Sequence, residues 1–352
     1  MAGIKHSLVI EFDSDDDKEI FRGKSYIQKN ICDDEVVICG NKIEIDYERN
    51  KEMTVEKVLD SPKSYIRMHL QRALGFYIAV LGQIPECKSV TYTVSGNKYK
   101  LKEIAALAKK WSDYKIDTCL KSEACEKVFN GKRDENIPLY NAVSFFVKAQ
   151  LADYYHDSFR CAWSGLNALY TNMVENAEAS EEVKLGKLGD FIMCHEMSNS
   201  CDYVAEIDNN KFWNKLEWFY FLENGFKKHG FQKYYNDYFS KNAKKDAVLG
   251  EALFSKLTSK VMTDKNKVDI ERLKEKAKVY SKKKNEEKYI HYKDRVEFLV
   301  RKYCYFKRNR SMHAGQEYPL FIISEDSENY VEPILTKLLI LAIKDIIEEK
   351  YA

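Results

Sequence analysis

Hydrophobic and polar positions divide the chain into two kinds of sequence. Residues 6–12 (HSLVIEF) have strand composition, and 35–48 alternate apolar with polar on both sides of Gly40-Asn41, a two-residue hairpin signal. Residues 89–101 repeat the device around Gly96-Asn97. Between the hairpins, Ser61-Pro62 supplies an N-cap and a first-turn proline. The helix they announce repeats Ile66, Leu70, Ala73, Leu74, Tyr77 and Leu81 at helical spacing. A short helix is expected over 102–112.

The polar, turn-rich stretch 129–138 reads as a domain boundary, and beyond it the periodicity is helical. Helices are expected over 139–176, 181–199, 211–226, 231–241, 247–261, 268–284, 288–314 and 333–351, with 317–330 as a loop holding one short strand. The expected fold is mainly α: an all-helical bundle over 136–352, preceded by a smaller α/β domain with β-hairpins over 1–135. The aromatic sets Phe231, Tyr234, Tyr235, Tyr238, Phe239 and Trp213, Trp218, Phe219 recur at helical spacing and read as core rather than as base-stacking platforms.

Composition narrows the class. A chain of 352 residues with 45% hydrophobic and 32% charged residues can bury a sizeable core, and only five prolines favour helices. No apolar run is long enough to span a bilayer, since 335–347 is broken by Lys344 and Asp345, so no membrane partner is expected. The opening residues lack the pattern of a signal peptide. Nine scattered cysteines fit reduced thiols better than a disulfide framework, so a cytoplasmic protein is expected.

Charge is unevenly spread. Residues 272–310 hold fifteen Lys or Arg against five Asp or Glu, which makes that segment +10 and the remainder −8 of the net +2. Such asymmetry points to an anionic partner near the C-terminal helices.

Nucleotide-binding glycine loops, the HExxH zinc pattern and the GxSxG elbow are absent. Cys194-His195 with Cys201 lacks zinc spacing, so neither metal nor cofactor is expected. The stretch 305–315, YFKRNRSMHAG, carries different chemistry. Arg308 and His313 lie five apart, about 140° around a helix, so both can reach a phosphate at a shared edge near the helix end. Arg308 is a permanent bidentate clamp for phosphate oxygens, and His313 exchanges a proton near neutral pH. Gly315 suits the left-handed position after a helix, which places His313 in the last turn, where the helix dipole favours its protonated form. Asn309 can hold a neighbouring group in register. RNA brings its own nucleophile, the 2′-hydroxyl. A proton-moving histidine and a phosphorane-stabilising arginine are therefore a sufficient minimal set, leaving a 2′,3′-cyclic phosphate and a 5′-hydroxyl. The same residues also read as a solvated helix end closed by its glycine.

The sequence RNRSMHAG resembles the RNxxxH signature of HEPN domains, the all-helical ribonuclease superfamily of prokaryotic defence and toxin systems. Residues 159–170 (FRCAWSGLNALY) resemble the first long helix of its Apea-like branch, and the apolar terminal helix follows the motif in that branch's order. The resemblance covers about 137–352. It implies a metal-independent endoribonuclease, a defence or toxin effector, with Arg308 and His313 as the catalytic pair and Asn309 orienting the arginine. Arg301, Lys302, Lys307 and Arg310 would then guide RNA toward the site. One such motif per chain implies a homodimer with a composite site. Further partners in this class are a regulatory ligand or an antitoxin protein. The alternative within the family is a catalytically silent scaffold that binds RNA or a partner protein, and Asn167 stands where many relatives carry an acidic residue.

Overall fold

The computed structural model describes residues 3–25, 34–50, 59, 64–130, 133–176, 178–207, 210–217, 221, 292–312 and 330–351. The protein is mainly α, with one antiparallel sheet near the N-terminus and helices after it. Two compact units divide the chain: residues 1–179 together with 343–352, and residues 180–342.

The first unit is built on six strands, β1 (Ile4–Phe12), β2 (Glu19–Ser25), β3 (Asp34–Cys39), β4 (Lys42–Arg49), β5 (Cys87–Val94) and β6 (Asn97–Lys100). They lie in the order β2-β3-β4-β1-β5-β6, so the first strand occupies the interior and pairs with β4 and β5. Alternation sorts each strand by face: Leu8, Ile10, Phe12, Ile43, Ile45, Val90 and Tyr92 are buried, while Lys5, Glu11, Glu48 and Lys88 are exposed. Helix α1 (Tyr65–Leu81) packs on β3 and β4 and is anchored by the Tyr77 hydroxyl, which donates to the Gly40 carbonyl (2.5 Å). Gly82 ends it in the left-handed conformation (φ 81°), and its N–H closes on the Ile78 carbonyl. Ser64 stands at the N-cap; the expected Ser61-Pro62 start lies outside the described residues.

Several expectations shift. The second hairpin turns on Ser95-Gly96 (φ 49° and 83°), one residue earlier than its Gly-Asn pair suggests, because Val94 pairs with Asn97. Strand β2 has no alternating signal, since Glu19, Arg22 and Lys24 leave Phe21 and Ser25 as its buried positions. After α2 (Lys102–Ala108), α3 (Ser122–Cys125) and α4 (Lys127–Asn130) come α5 (Arg133–Leu151) and α6 (Tyr155–Thr171), a helical hairpin where one long helix was expected. The Ser158 hydroxyl in the first turn of α6 donates back to the Ala149 carbonyl and closes the corner.

The break expected at residue 135 is not where the compact units part. Phe129, at the start of the stretch read as the boundary, is fully buried against Phe21 and Phe76 (4.9 and 5.8 Å between ring centroids), and α5 packs on α1 and α4 as well as on α6. Apolar burial there outweighs the polar composition of the residues that follow.

In the second unit, α7 (Glu181–Cys194) opens on Ser180, whose side chain accepts from the Val183 N–H. Met197, buried at φ 52°, separates it from α8 (Ser198–Ile207), so the helix expected over 181–199 is two. Helix α9 (Asn210–Lys215) follows. Helix α10 (Tyr292–Glu297) continues through a wide turn (Phe298–Tyr303) into α11 (Cys304–Met312); the Cys304 N–H bonds the Leu299 carbonyl five residues back, the mark of a π-helix. Helix α12 (Val331–Tyr351) ends the chain's described part. The helices expected over 231–241, 247–261 and 268–284, with their aromatic set, lie outside the described residues, as do Trp218 and Phe219. Trp213 is core, as its spacing suggests.

Candidate functional site

Helix α11 carries Arg308 and Asn309, and its facing is set by what packs on its opposite side. Phe221 meets Phe298, Tyr303 and Phe306 at 5.6, 5.6 and 5.4 Å between centroids. The backbone N–H of Glu217 donates to the Tyr303 hydroxyl (2.7 Å), and burial pushes that phenol far above its usual pKa, so it stays protonated. Glu217 and Phe221 thus lie against Tyr303, Phe306, Lys307 and Arg310, the i, i+3, i+4, i+7 face of a helix.

The cations on that face are consumed within the protein. The Glu217 carboxylate takes Arg310 Nη1 at 2.8 Å and Lys307 Nζ at 3.5 Å, and the two cationic side chains are only 13% and 10% exposed. The Arg310 guanidinium also lies 5.8 Å from the Phe306 ring centre. At 100° per residue, Lys307 and Arg310 stand about 60° apart, while Arg308 and Asn309 each stand about 130° from their midline. Arg308 is half-buried on this other side, and its Nη1 donates to Asn309 Oδ1 (2.9 Å). Asn309, expected to orient the arginine, is thus hydrogen-bonded to it. His313 and Gly315 lie outside the described residues.

The remaining expected RNA contacts separate in kind. Arg301, in the π turn, is ion-paired with Glu297 one turn back and lies across Gly189 of α7, where a Cβ would come 3.0 Å from its Cδ and Nε. Lys302 is half-buried in the same turn. Glu217 is the residue that sequence reasoning missed. Its signal was a lone acid in the aromatic run 212–221 opposite two cations spaced three apart.

No family model, curated protein or solved structure matches this chain.

Elsewhere the structure assembles a polar chain that no spacing announced. Ser25 Oγ and His69 Nδ1 are 2.7 Å apart, His69 Nε2 and Asp34 Oδ2 2.9 Å, and Arg49 grips both Asp34 oxygens at 2.7 Å. Burial lowers the His69 pKa against the pull of Asp34, so the ring is neutral, donating from Nε2 and accepting from Ser25. Burial would raise the Asp34 carboxyl, but hydrogen bonds from Arg49 and His69 outweigh it and hold the group below the usual range. The order serine, imidazole, carboxylate is that of a nucleophile relay. All three residues are 1% exposed, however, so the set clasps β2, β3, β4 and α1 together instead of meeting a substrate.

At Cys194, His195 and Cys201, the His195 ring stacks on Phe191 (3.8 Å) and bonds its carbonyl, and the Cys201 thiol turns to the Glu196 carbonyl. Among the described residues no group of three His, Cys, Asp or Glu is placed to hold a metal ion, and no helix is long and apolar enough to cross a membrane.

Proposed function

We propose that this protein is a metal-independent endoribonuclease of the HEPN type, acting as a prokaryotic defence or toxin effector. The observation that carries the reading is the pairing of Arg308 with Asn309 on the side of α11 turned away from Glu217, while neighbouring Lys307 and Arg310 are neutralised by that carboxylate. An arginine so placed, at the end of a helix that leads into His313, is suited to a phosphate.

In the proposed reaction His313 accepts the proton of the RNA 2′-hydroxyl, whose oxygen attacks the adjacent phosphorus. Arg308 stabilises the negative charge of the phosphorane, and Asn309 keeps the guanidinium in its plane. The 5′-oxygen leaves with a proton from a second imidazole. The products are a 2′,3′-cyclic phosphate and a 5′-hydroxyl. Two proton-transfer groups are needed and one motif is present per chain, so the active form is a homodimer contributing His313 from each subunit. A regulatory ligand or an antitoxin protein would gate it.

End-labelled RNA incubated in EDTA tests the proposal. Wild type should yield cyclic-phosphate ends, and Arg308→Ala or His313→Ala should lower the rate by about a hundredfold or more while remaining folded. RNA left intact by concentrated dimeric wild type would sink it. One observation favours a silent scaffold: Asn167 on α6 is an amide whose Oδ1 accepts from the Thr171 hydroxyl (3.2 Å), where relatives often hold a carboxylate. RNA bound without cleavage, equally by wild type and His313→Ala, is the result that reading expects.

A further inference from the structure

Basic surface is not confined to the residues around α11. Strand β6 and the chain that follows it, residues 97–115, hold six lysines against two acids, a charge of +4. Outside these and residues 272–310 the chain sums to −12, so the stretch is a cationic island in an acidic background. Lys98, Lys100, Lys102, Lys109, Lys110 and Lys115 are exposed, and among the described residues none of them is ion-paired. Two of them have a plain explanation, since a charge on an outermost strand such as β6 discourages another sheet from pairing there. That explanation stops at Lys100, whereas the other four lie in α2, in the 3₁₀ turn after it (Lys109–Asp113) and at Lys115.

Nor does it account for the rings. Tyr99 is 40% and Tyr114 46% exposed, Leu107 stands out at 60%, and Trp111 is half-buried. The backbone beneath them is well tied. Helix α2 and the 3₁₀ turn pack on β5, with Ala108 fully buried between the exposed Leu107 and Lys109. The Ser112 hydroxyl donates to the Lys109 carbonyl (2.8 Å), the Tyr114 N–H to the Trp111 carbonyl (3.1 Å) and the Ile116 N–H to the Gly82 carbonyl (2.7 Å). Lysines and rings presented together fit a partner that offers both phosphates and flat apolar faces. A single nucleic-acid strand offers both, whereas a duplex keeps its bases stacked on one another. A lipid surface calls for a broad apolar helix face, and α2 has seven residues with Leu107 as its one exposed large apolar side chain among the described residues.

We propose that β6, α2 and the 3₁₀ turn form a binding surface for single-stranded RNA in the first unit. The lysines hold phosphates, and Tyr99, Trp111 and Tyr114 stack on bases. Only the choice of RNA over DNA rests on the function proposed above. The surface reads no particular sequence, since neither an ammonium on a phosphate nor a ring on a base face distinguishes one base from another.

The test is fluorescence anisotropy with the whole chain carrying His313→Ala, so that a strand the enzyme would cut stays intact. A labelled single-stranded RNA of mixed sequence should bind more tightly than the same sequence as a duplex or as a deoxy strand. Lys109→Gln with Lys110→Gln should flatten the dependence of log affinity on log salt by about 1.4, the value for two phosphates on a single strand. Tyr114→Ala should weaken binding about fivefold to 150-fold with the slope unchanged, as the loss of one stacked base does. All three side chains are exposed, so both variants should melt with the parent protein. RNA affinity that neither variant moves would overturn the surface. A flattened slope with full affinity in Tyr114→Ala would overturn it too, by showing unspecific attraction of cations alone. Sedimentation with phosphatidylserine vesicles, lost in the same variants while RNA affinity holds, would replace the strand with a lipid surface. Equal binding of the deoxy strand would overturn the choice of RNA. If the variants behave as expected but wild type cleaves no RNA, the ribonuclease reading falls and the binding surface stands.

Discussion

At Asp34 the chain buries a carboxylate beside a permanent cation and a neutral imidazole, and the sign of its pH response follows. His69 binds a proton less readily folded than unfolded. Its contribution is complete above the unfolded imidazole value of about 6.5 and declines as pH falls below it. Asp34 is also depressed, so its contribution holds above the unfolded carboxyl value of about 3.9 and is lost as pH falls through the folded one. Both slopes have the same sign, with His69 acting first. Thermal melts on the acid side of neutrality should fall in two stages. Asp34→Ala, which strands Arg49 and His69, should cost about 3–5 kcal/mol at neutral pH. A melting temperature unchanged between about pH 7 and about pH 5 would count against the His69 step. None of these four partners was legible in the sequence. Ser25, Asp34, Arg49 and His69 come from β2, β3, β4 and α1, and only the strand register brings them to one end of the sheet.

Elements with a local cause were legible; those decided by distant packing were not. The Gly40-Asn41 hairpin, the apolar stripe of α1 and the terminal helix emerge from periods of 2 and 3.6 residues alone. Strand β2 and the corner between α5 and α6 do not, since one is an edge strand without alternation and the other is closed by a single serine hydroxyl. Within the site, Arg308 and Asn309 were legible as a pair from adjacency, whereas the inward turn of Lys307 and Arg310 required knowing what lay opposite. Helix α6 offers a test of close packing. A Cβ at Gly165 would meet Ile343 Cδ1 at 3.1 Å, Phe145 Cβ at 3.2 Å and the Ala142 carbonyl at 3.3 Å. Gly165→Val should therefore wedge α6 from its neighbours and cost about 1–3 kcal/mol by urea denaturation, despite removing a flexible glycine from a helix. An equal or higher denaturation midpoint would show that α6 has room to shift.

For the molecule as a whole, formal charge overstates what a polyanion meets. The +10 of residues 272–310 includes Lys307 and Arg310, both held by Glu217 from outside that segment, while Arg301 is already offset within it by Glu297. If RNA is the partner, counterion release separates the two kinds of cation. Arg308→Ala should flatten the dependence of log affinity on log salt by about 0.7, the value for one phosphate on a single strand. Lys307→Gln should leave that slope alone. Equal flattening by both, in fluorescence-anisotropy titrations, would place Lys307 on the RNA. The sheet order has a consequence of another sort, for how the protein is made. Strand β1 is synthesised before both its neighbours, yet Leu8 pairs with Ile45 on one side and Tyr92 on the other. During translation it stays an unpaired apolar ribbon until β2, β3 and β4 have formed a meander to receive it, and its second edge stays open until β5 arrives. The nascent chain thus carries an apolar strand with open edges until residues far downstream are made, which is the situation in which a chaperone at the ribosome exit guards against mispairing.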